Sequence, residues 1–231
     1  MIPLGDARRR FGFPWMTCLL LAVGLIVFLY ERRFPLDGLY GLRPAELGQR
    51  LGALQQAVGC LLVQGPGWLA PLVNLVYLWI LGNKVEDACG PYGFFSLSLL
   101  CGLGGVVVAG FLAPYLPEEA RLYGLAGVVA GLFGAYRTLY RGEGIRTLLP
   151  PIFLVRVPVF LHLLYWAGWE FVHLDLVALR AGKIGQILYP HWPFAGAFFL
   201  GLLAGPLFAR SEFLWLRLKG RESPGLPAPG A

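Results

Sequence analysis

The chain has 231 residues, 57% hydrophobic and only 14% charged, with a formal net charge of +6. Several uncharged runs approach or exceed the roughly 17–20 residues that cross a bilayer, which excludes a soluble domain and predicts a multi-pass membrane protein. Short polar connections leave room for one membrane domain, residues 11–208, between a polar lead at 1–10 and a tail at 209–231.

The lead carries Arg8, Arg9 and Arg10, and residues 11–30 then form one apolar span bearing only Thr17. A signal peptide would have a shorter apolar core and a small-residue cleavage site, so this span is expected to stay. The connection 31–67 is mixed in character. After Pro44, the residues Leu47, Leu51, Leu54, Val58 and Leu61 recur at three- and four-residue steps. That spacing predicts an amphipathic helix lying in the membrane interface.

Residues 68–81 form a second expected span, ending in a polar turn from Gly82 through Asn83, Lys84, Glu86 and Asp87 to Gly90. Residues 92–112 are the third, 122–139 the fourth, 148–169 the fifth and 194–208 the sixth. The fifth is interrupted by Pro150, Pro151 and Pro158, carries Arg156 and His162, and places no acidic residue inside any span. Past Arg210 the tail is charged, then Pro/Gly-rich, and is expected to be disordered.

Six spans put both termini on one side. A cytoplasmic N-terminus leaves eleven Lys and Arg inside, including Lys84, Arg137, Arg141, Arg146 and Arg210, against seven outside. The positive-inside rule favours that orientation in the plasma membrane, and the topology accounts for the net charge without nucleic-acid binding. Trp68, Trp166, Trp169 and Trp192 gather near the outer boundary as an aromatic belt. Sixteen arginines against three lysines, with much Gly, Pro and Ala, fit a high-GC bacterial genome and an inner membrane. Cys18, Cys60, Cys89 and Cys101 lie in or beside apolar segments, with no CxxC pair and no His at ligand spacing. They read as small hydrophobes, neither a disulfide framework nor a metal site, and nothing calls for a cofactor.

The fourth span organises the rest. Gly124, Gly127, Gly131 and Gly134 stand at steps of three, four and three, so one helix face is bare backbone. Ala197, Gly201 and Gly205 form a similar face on the sixth span. In lipid such faces attract each other by close backbone approach, so spans four and six are expected to pack.

The fourth span also resembles the Gly-x-Ser-Gly…Gly-x-x-Gly-Ala-Tyr helix of the rhomboid intramembrane serine proteases, and the order of matching segments extends over residues 1–208. The resemblance implies an all-α membrane fold, a bundle of six transmembrane helices with an interfacial helix in the first loop. It also implies where the chemistry would stand. The nucleophile position, within Gly124-Leu125-Ala126-Gly127, holds Ala126. A methyl group cannot attack a carbonyl. The second span matches Trp-Leu-His-Leu-Leu-Gly-Asn with Ala70 at the His position and Asn74 retained, either as a hydrogen-bonded strut between helices or as a remnant oxyanion donor. On the sixth span Gly196, Phe198 and Gly201 match, while the general-base position holds Phe194, which can neither accept nor donate a proton.

Substitutes are few. His191 lies one turn before Phe194, in the Pro190–Pro193 turn, and has no serine to activate. The serines are Ser96 and Ser98 in the third span and Ser211 and Ser223 in the tail. Pairing Ser98 with His162 is not what rhomboid geometry implies. Arg156 can snorkel to the cytoplasmic surface. The reading is therefore a non-catalytic rhomboid-like protein that binds the transmembrane segments of client proteins within the lipid bilayer. The alternatives are an active intramembrane serine endopeptidase and, lower, a small transporter.

Overall fold

A computed structural model describes residues 2–5, 12–34, 36, 40–44, 53–64, 68–115, 125–149, 153–174 and 191–222. The chain runs β1 (Ile2–Gly5), α1 (Trp15–Glu31), α2 (Ala53–Gly59), α3 (Leu69–Leu112), α4 (Ala126–Leu139), β2 (Gly144–Leu149), β3 (Phe153–Pro158), α5 (Val159–Leu174), α6 (Trp192–Phe208) and α7 (Ser211–Glu222). Of the expected interfacial helix only α2 is described, and residues 45–52 lie outside the described residues, as does Gly124.

Helix α3 is two arms, 69–89 and 91–112, joined at Gly90, whose φ of 76° is left-handed. Pro91, with no N–H to give, opens the second arm. Were α3 straight, Tyr77 and Cys101 would stand about 36 Å apart at 1.5 Å per residue. Instead Tyr77 stacks on Phe133 with ring centroids 5.1 Å apart, and Cys101 presses on Gly131, so both arms reach the same stretch of α4. The chain reverses at Gly90. The left-handed φ is what calls for glycine there, and the Arg210 guanidinium lies over the bare α-carbon, 2.6 Å from where a β-carbon would stand.

The expected polar turn at residues 82–87 is instead helical, and Lys84, Glu86 and Asp87 are buried. The reason is tertiary. Glu86 caps the start of α1, its carboxylate accepting from the backbone N–H of Met16 (3.0 Å) and Thr17 (2.7 Å) and from the Thr17 hydroxyl (2.6 Å). A carboxylate at a helix N-terminus meets both the orphan donors and the positive end of the dipole.

The largest departure lies between α4 and α5. Residues 148–149 and 153–158, expected to lie in the first half of a span, are in strands. β2 pairs antiparallel with β3, and β1 adds at the other edge of β2 with a bulge between Pro3 and Gly5. Along β2, Ile145 and Thr147 are buried while Arg146 is exposed, the alternation of a half-buried strand. On β3, Val157 is buried and Val155, Arg156 and Pro158 are exposed. Arg156 pairs in register with Arg146 on the sheet, and so lies on a strand and not in the expected helical span. The fifth helical segment begins only at Val159, and it runs past Trp169 to bring Glu170 inside a helix, contrary to the expectation that no helical segment holds an acid.

A second departure is α7, which is helical over Ser211–Glu222 where disorder was expected. Phe213 stacks on Tyr140 at 5.4 Å, and Arg217 donates to the carbonyls of Thr138 (2.8 Å) and Leu139 at the end of α4. The fold is therefore predominantly helical, with a small three-stranded sheet. Among the described residues, Leu69–Tyr115 is long and apolar enough to cross a membrane. Trp192–Phe208 and Ser211–Arg217, bent by 94°, pass that test together, and α1 is a shorter apolar helix.

Candidate functional site

Helix α4 is the axis, buried on nearly every face between both arms of α3 and α6. Its glycines allow this. A β-carbon at Gly201 of α6 would fall on the Gly131 carbonyl, and one at Gly134 on the Phe198 carbonyl. One at Gly205 would stand 3.0 Å from the α-carbon of Ala135. The backbones of α4 and α6 are thus in direct contact over two turns. Gly127 differs, since the nearest atom to a β-carbon there is the α-carbon of Gly102 at 3.9 Å.

Ala126 is the first residue of α4 and is 4% exposed. Its methyl group joins the apolar core and offers nothing to a reacting carbonyl. Phe194, in the first turn of α6, stacks edge-on against Trp166 (5.9 Å, 65°) and lies 6.0 Å from the His191 ring. Trp166 is also in contact with Phe133 at 5.7 Å. Three aromatic side chains therefore occupy the ground beside the α4–α6 contact. Ala70 is half-buried near the start of α3, one turn before Asn74.

Asn74 is fully engaged in structure. Its Oδ1 accepts from Trp166 Nε1 at 2.7 Å, and its side chain hydrogen-bonds the carboxyl of Glu170. Asn74 therefore ties α3 to α5. The strut is the alternative of the two that this geometry fits.

His162 is buried with both ring nitrogens in use, Nδ1 at 3.1 Å from the Tyr77 hydroxyl and Nε2 at 2.8 Å from Thr147 Oγ1. Thr147 Oγ1 donates to the Ile145 carbonyl at 3.0 Å. The assignment that uses each hydrogen once puts the His162 proton on Nε2 and lets Tyr77 donate to Nδ1. Such a histidine has no capacity left to serve Ser98. The Ser98 hydroxyl is buried with no partner among the described residues, and it lines a cavity of about 160 Å³ with Leu20, Leu61, Leu125 and Val128. Ser96 is exposed.

A larger cleft of about 350 Å³ opens between α5 and α6, with Ala130, Leu163, Trp166, Glu170, Phe194 and Phe198 on its walls. Its lining is carbon except for Glu170 and His191. Glu170 lies one residue past Trp169, where the sequence places the end of the span. The signal was present, since Glu170 follows Trp166 by four residues and so shares its helix face. Thr147 was missed with its strand, and Tyr77 reads from sequence as one more apolar-helix aromatic. Among the described residues no three His, Cys, Asp or Glu side chains cluster as metal ligands would.

The Rhomboid domain family model matches residues 58–210, about two thirds of the chain. No curated protein matches it. The matched stretch holds both arms of α3, the glycine-lined α4, the cleft and the α4–α6 contact, and it ends where α6 does. The chain belongs to the rhomboid family, whose members are integral to the membrane.

Proposed function

We propose that this rhomboid is a pseudoprotease that holds transmembrane segments of client proteins without cutting them. The observation that carries the reading is the pairing of Ala126, a buried methyl, with Phe194, a phenyl ring packed on Trp166. Neither can act as nucleophile or base, and His162, with both ring nitrogens hydrogen-bonded, has no free nitrogen for Ser98. What remains is an apolar cleft of about 350 Å³ beside the central helix, suited to the apolar side chains of a client helix.

In this reading α1, the two arms of α3, α4, α5 and α6 each cross the bilayer, with both termini in the cytoplasm. Contacts among the connections support it. β1 pairs with β2, Glu86 caps α1, the Arg210 N–H donates to the Ala88 carbonyl at 2.9 Å, and Tyr140 donates to the Lys84 carbonyl at 2.8 Å. β1, the start of α1, residues 84–90, residues 140–149 and 153–158 and the end of α6 thus lie together, in keeping with an alternating path of six crossings. Placing Arg156 with them raises the inner cations from eleven to twelve against seven.

The test is cleavage of a model single-span substrate in detergent by the wild type and by the Ala70→His/Ala126→Ser/Phe194→His variant. The wild type is expected to be inert. Cleavage by the wild type overturns the reading and directs attention to Ser98. Cleavage by the triple variant alone supports a scaffold that lacks only its chemistry.

A further inference from the structure

We propose that Glu170 gives the cleft between α5 and α6 its selectivity, by receiving a Lys or Arg carried within the apolar span of a partner helix. The proposal rests on the client-binding reading above and names the chemistry of the client.

Three observations carry it. The cleft wall is almost wholly carbon, so its occupant presents an apolar body. Glu170 lines that cleft while being only 7% exposed, and its Oε1 has no hydrogen-bond partner among the described residues. The rest of the side chain is held, because Asn74 bonds the carboxyl and is itself fixed by Trp166 Nε1, whose ring is wedged against Phe133 and Phe194. Among the described residues one acceptor is therefore left over, on a side chain held in place by Asn74.

A buried carboxyl oxygen with no donor carries a desolvation penalty that a ligand can relieve. An ordinary apolar helix filling the cleft would leave the penalty in place. A helix bearing one basic residue at the right depth relieves it and at the same time hides its own charge from lipid, where such a charge is costly. The two deficits are complementary, and each group satisfies the other.

The experiment uses the full chain in lipid nanodiscs of phosphatidylcholine alone, with three fluorescent single-span peptides that differ only at one central residue: Lys, Leu or Glu. Lys is expected to bind about tenfold or more tighter than Leu, the range of a hydrogen bond to a charged group, and Glu weaker than Leu. Glu170→Gln is expected to shrink the Lys advantage to about twofold while leaving Leu binding unchanged. If the Gln variant does not accumulate, the order Lys, Leu, Glu on the wild type carries the test alone. Equal affinity for Lys and Leu overturns this proposal and leaves client binding standing. Failure of all three peptides to bind overturns both. If adding phosphatidylethanolamine displaces the Lys peptide in a Glu170-dependent manner, a lipid amine is the natural occupant and the proposal falls.

Discussion

Replacing Gly201 with alanine adds a single methyl group, and the contact of α4 with α6 makes it expensive. The new β-carbon would fall on the Gly131 carbonyl oxygen, with the Gly131 carbonyl carbon at 2.7 Å and its α-carbon at 2.9 Å. Non-bonded carbons settle at about 3.5–4.0 Å, so the helices must part by roughly 1 Å. Overpacking costs about 1–3 kcal/mol where side chains can yield. Here the obstacle is backbone on a helix that Gly205 and Ala197 hold equally close, which places the cost at or above the upper end. Alanine returns roughly 1 kcal/mol of helix propensity. The net expectation is about 3 kcal/mol of destabilisation, a fall in unfolding temperature of roughly 10 °C for a chain of this size. Gly127→Ala is the control, because its nearest neighbour leaves ordinary contact distance; it should be neutral or slightly stabilising. Thermal unfolding in mild detergent, followed by helical circular dichroism, compares them. If Gly201→Ala and Gly127→Ala unfold together, the backbone contact between α4 and α6 is not what holds the bundle.

Glu86→Gln should cost about 2–3 kcal/mol, since an amide NH2 cannot accept from Thr17, while Thr17→Val, which removes one of the three bonds, should cost about half that. Equal losses for the two variants in detergent unfolding would refute the capping account. His162→Phe strands the Tyr77 hydroxyl, while Thr147 keeps its bond to the Ile145 carbonyl, and should cost about 2 kcal/mol, with Tyr77→Phe in the same background adding almost nothing. Burial pushes the Cys60 thiol from 9.0 up to about 12. The folded state thus holds its proton more tightly than the unfolded chain. Its contribution is constant below pH 9 and is lost as pH rises from 9 toward 12, so Cys60→Ala should narrow the alkaline loss of stability measured by denaturant midpoint. At pH 8 a maleimide should modify the half-exposed Cys18 and spare Cys60, and rapid labelling of Cys60 in the folded protein would refute its burial.

The membrane class and the family were legible because both are written in one-dimensional signals. Uncharged length marks the bilayer, and the Gly131-Leu132-Phe133-Gly134-Ala135-Tyr136 run with Gly196, Phe198 and Gly201 marks the family. What escaped was set by partners distant in sequence. Residues 82–87 are polar and look like a loop, yet they stay helical because Glu86 finds Thr17 and Tyr140 finds the Lys84 carbonyl. The hairpin was hidden by averaging hydropathy across Leu148, Pro150, Pro151 and Val157. Judged residue by residue, Ile145-Arg146-Thr147 already alternates, and two prolines in succession suit a turn far better than a helix. Glu170 lies beyond the span end at Trp169, which is five residues short of the end of α5. A short charged tail gives no hint that Phe213 will stack on Tyr140.

The Glu86 carboxylate bears on how the chain is made. Helix α1 is made before α3, but the acceptor for its leading amides lies some 70 residues further along. At roughly 5–20 residues per second, translation leaves α1 for several seconds with those amides uncapped. Docking of α1 is therefore a late event, timed by the arrival of the first arm of α3. A stall in synthesis before residue 86 would leave an apolar helix without the carboxylate that caps it.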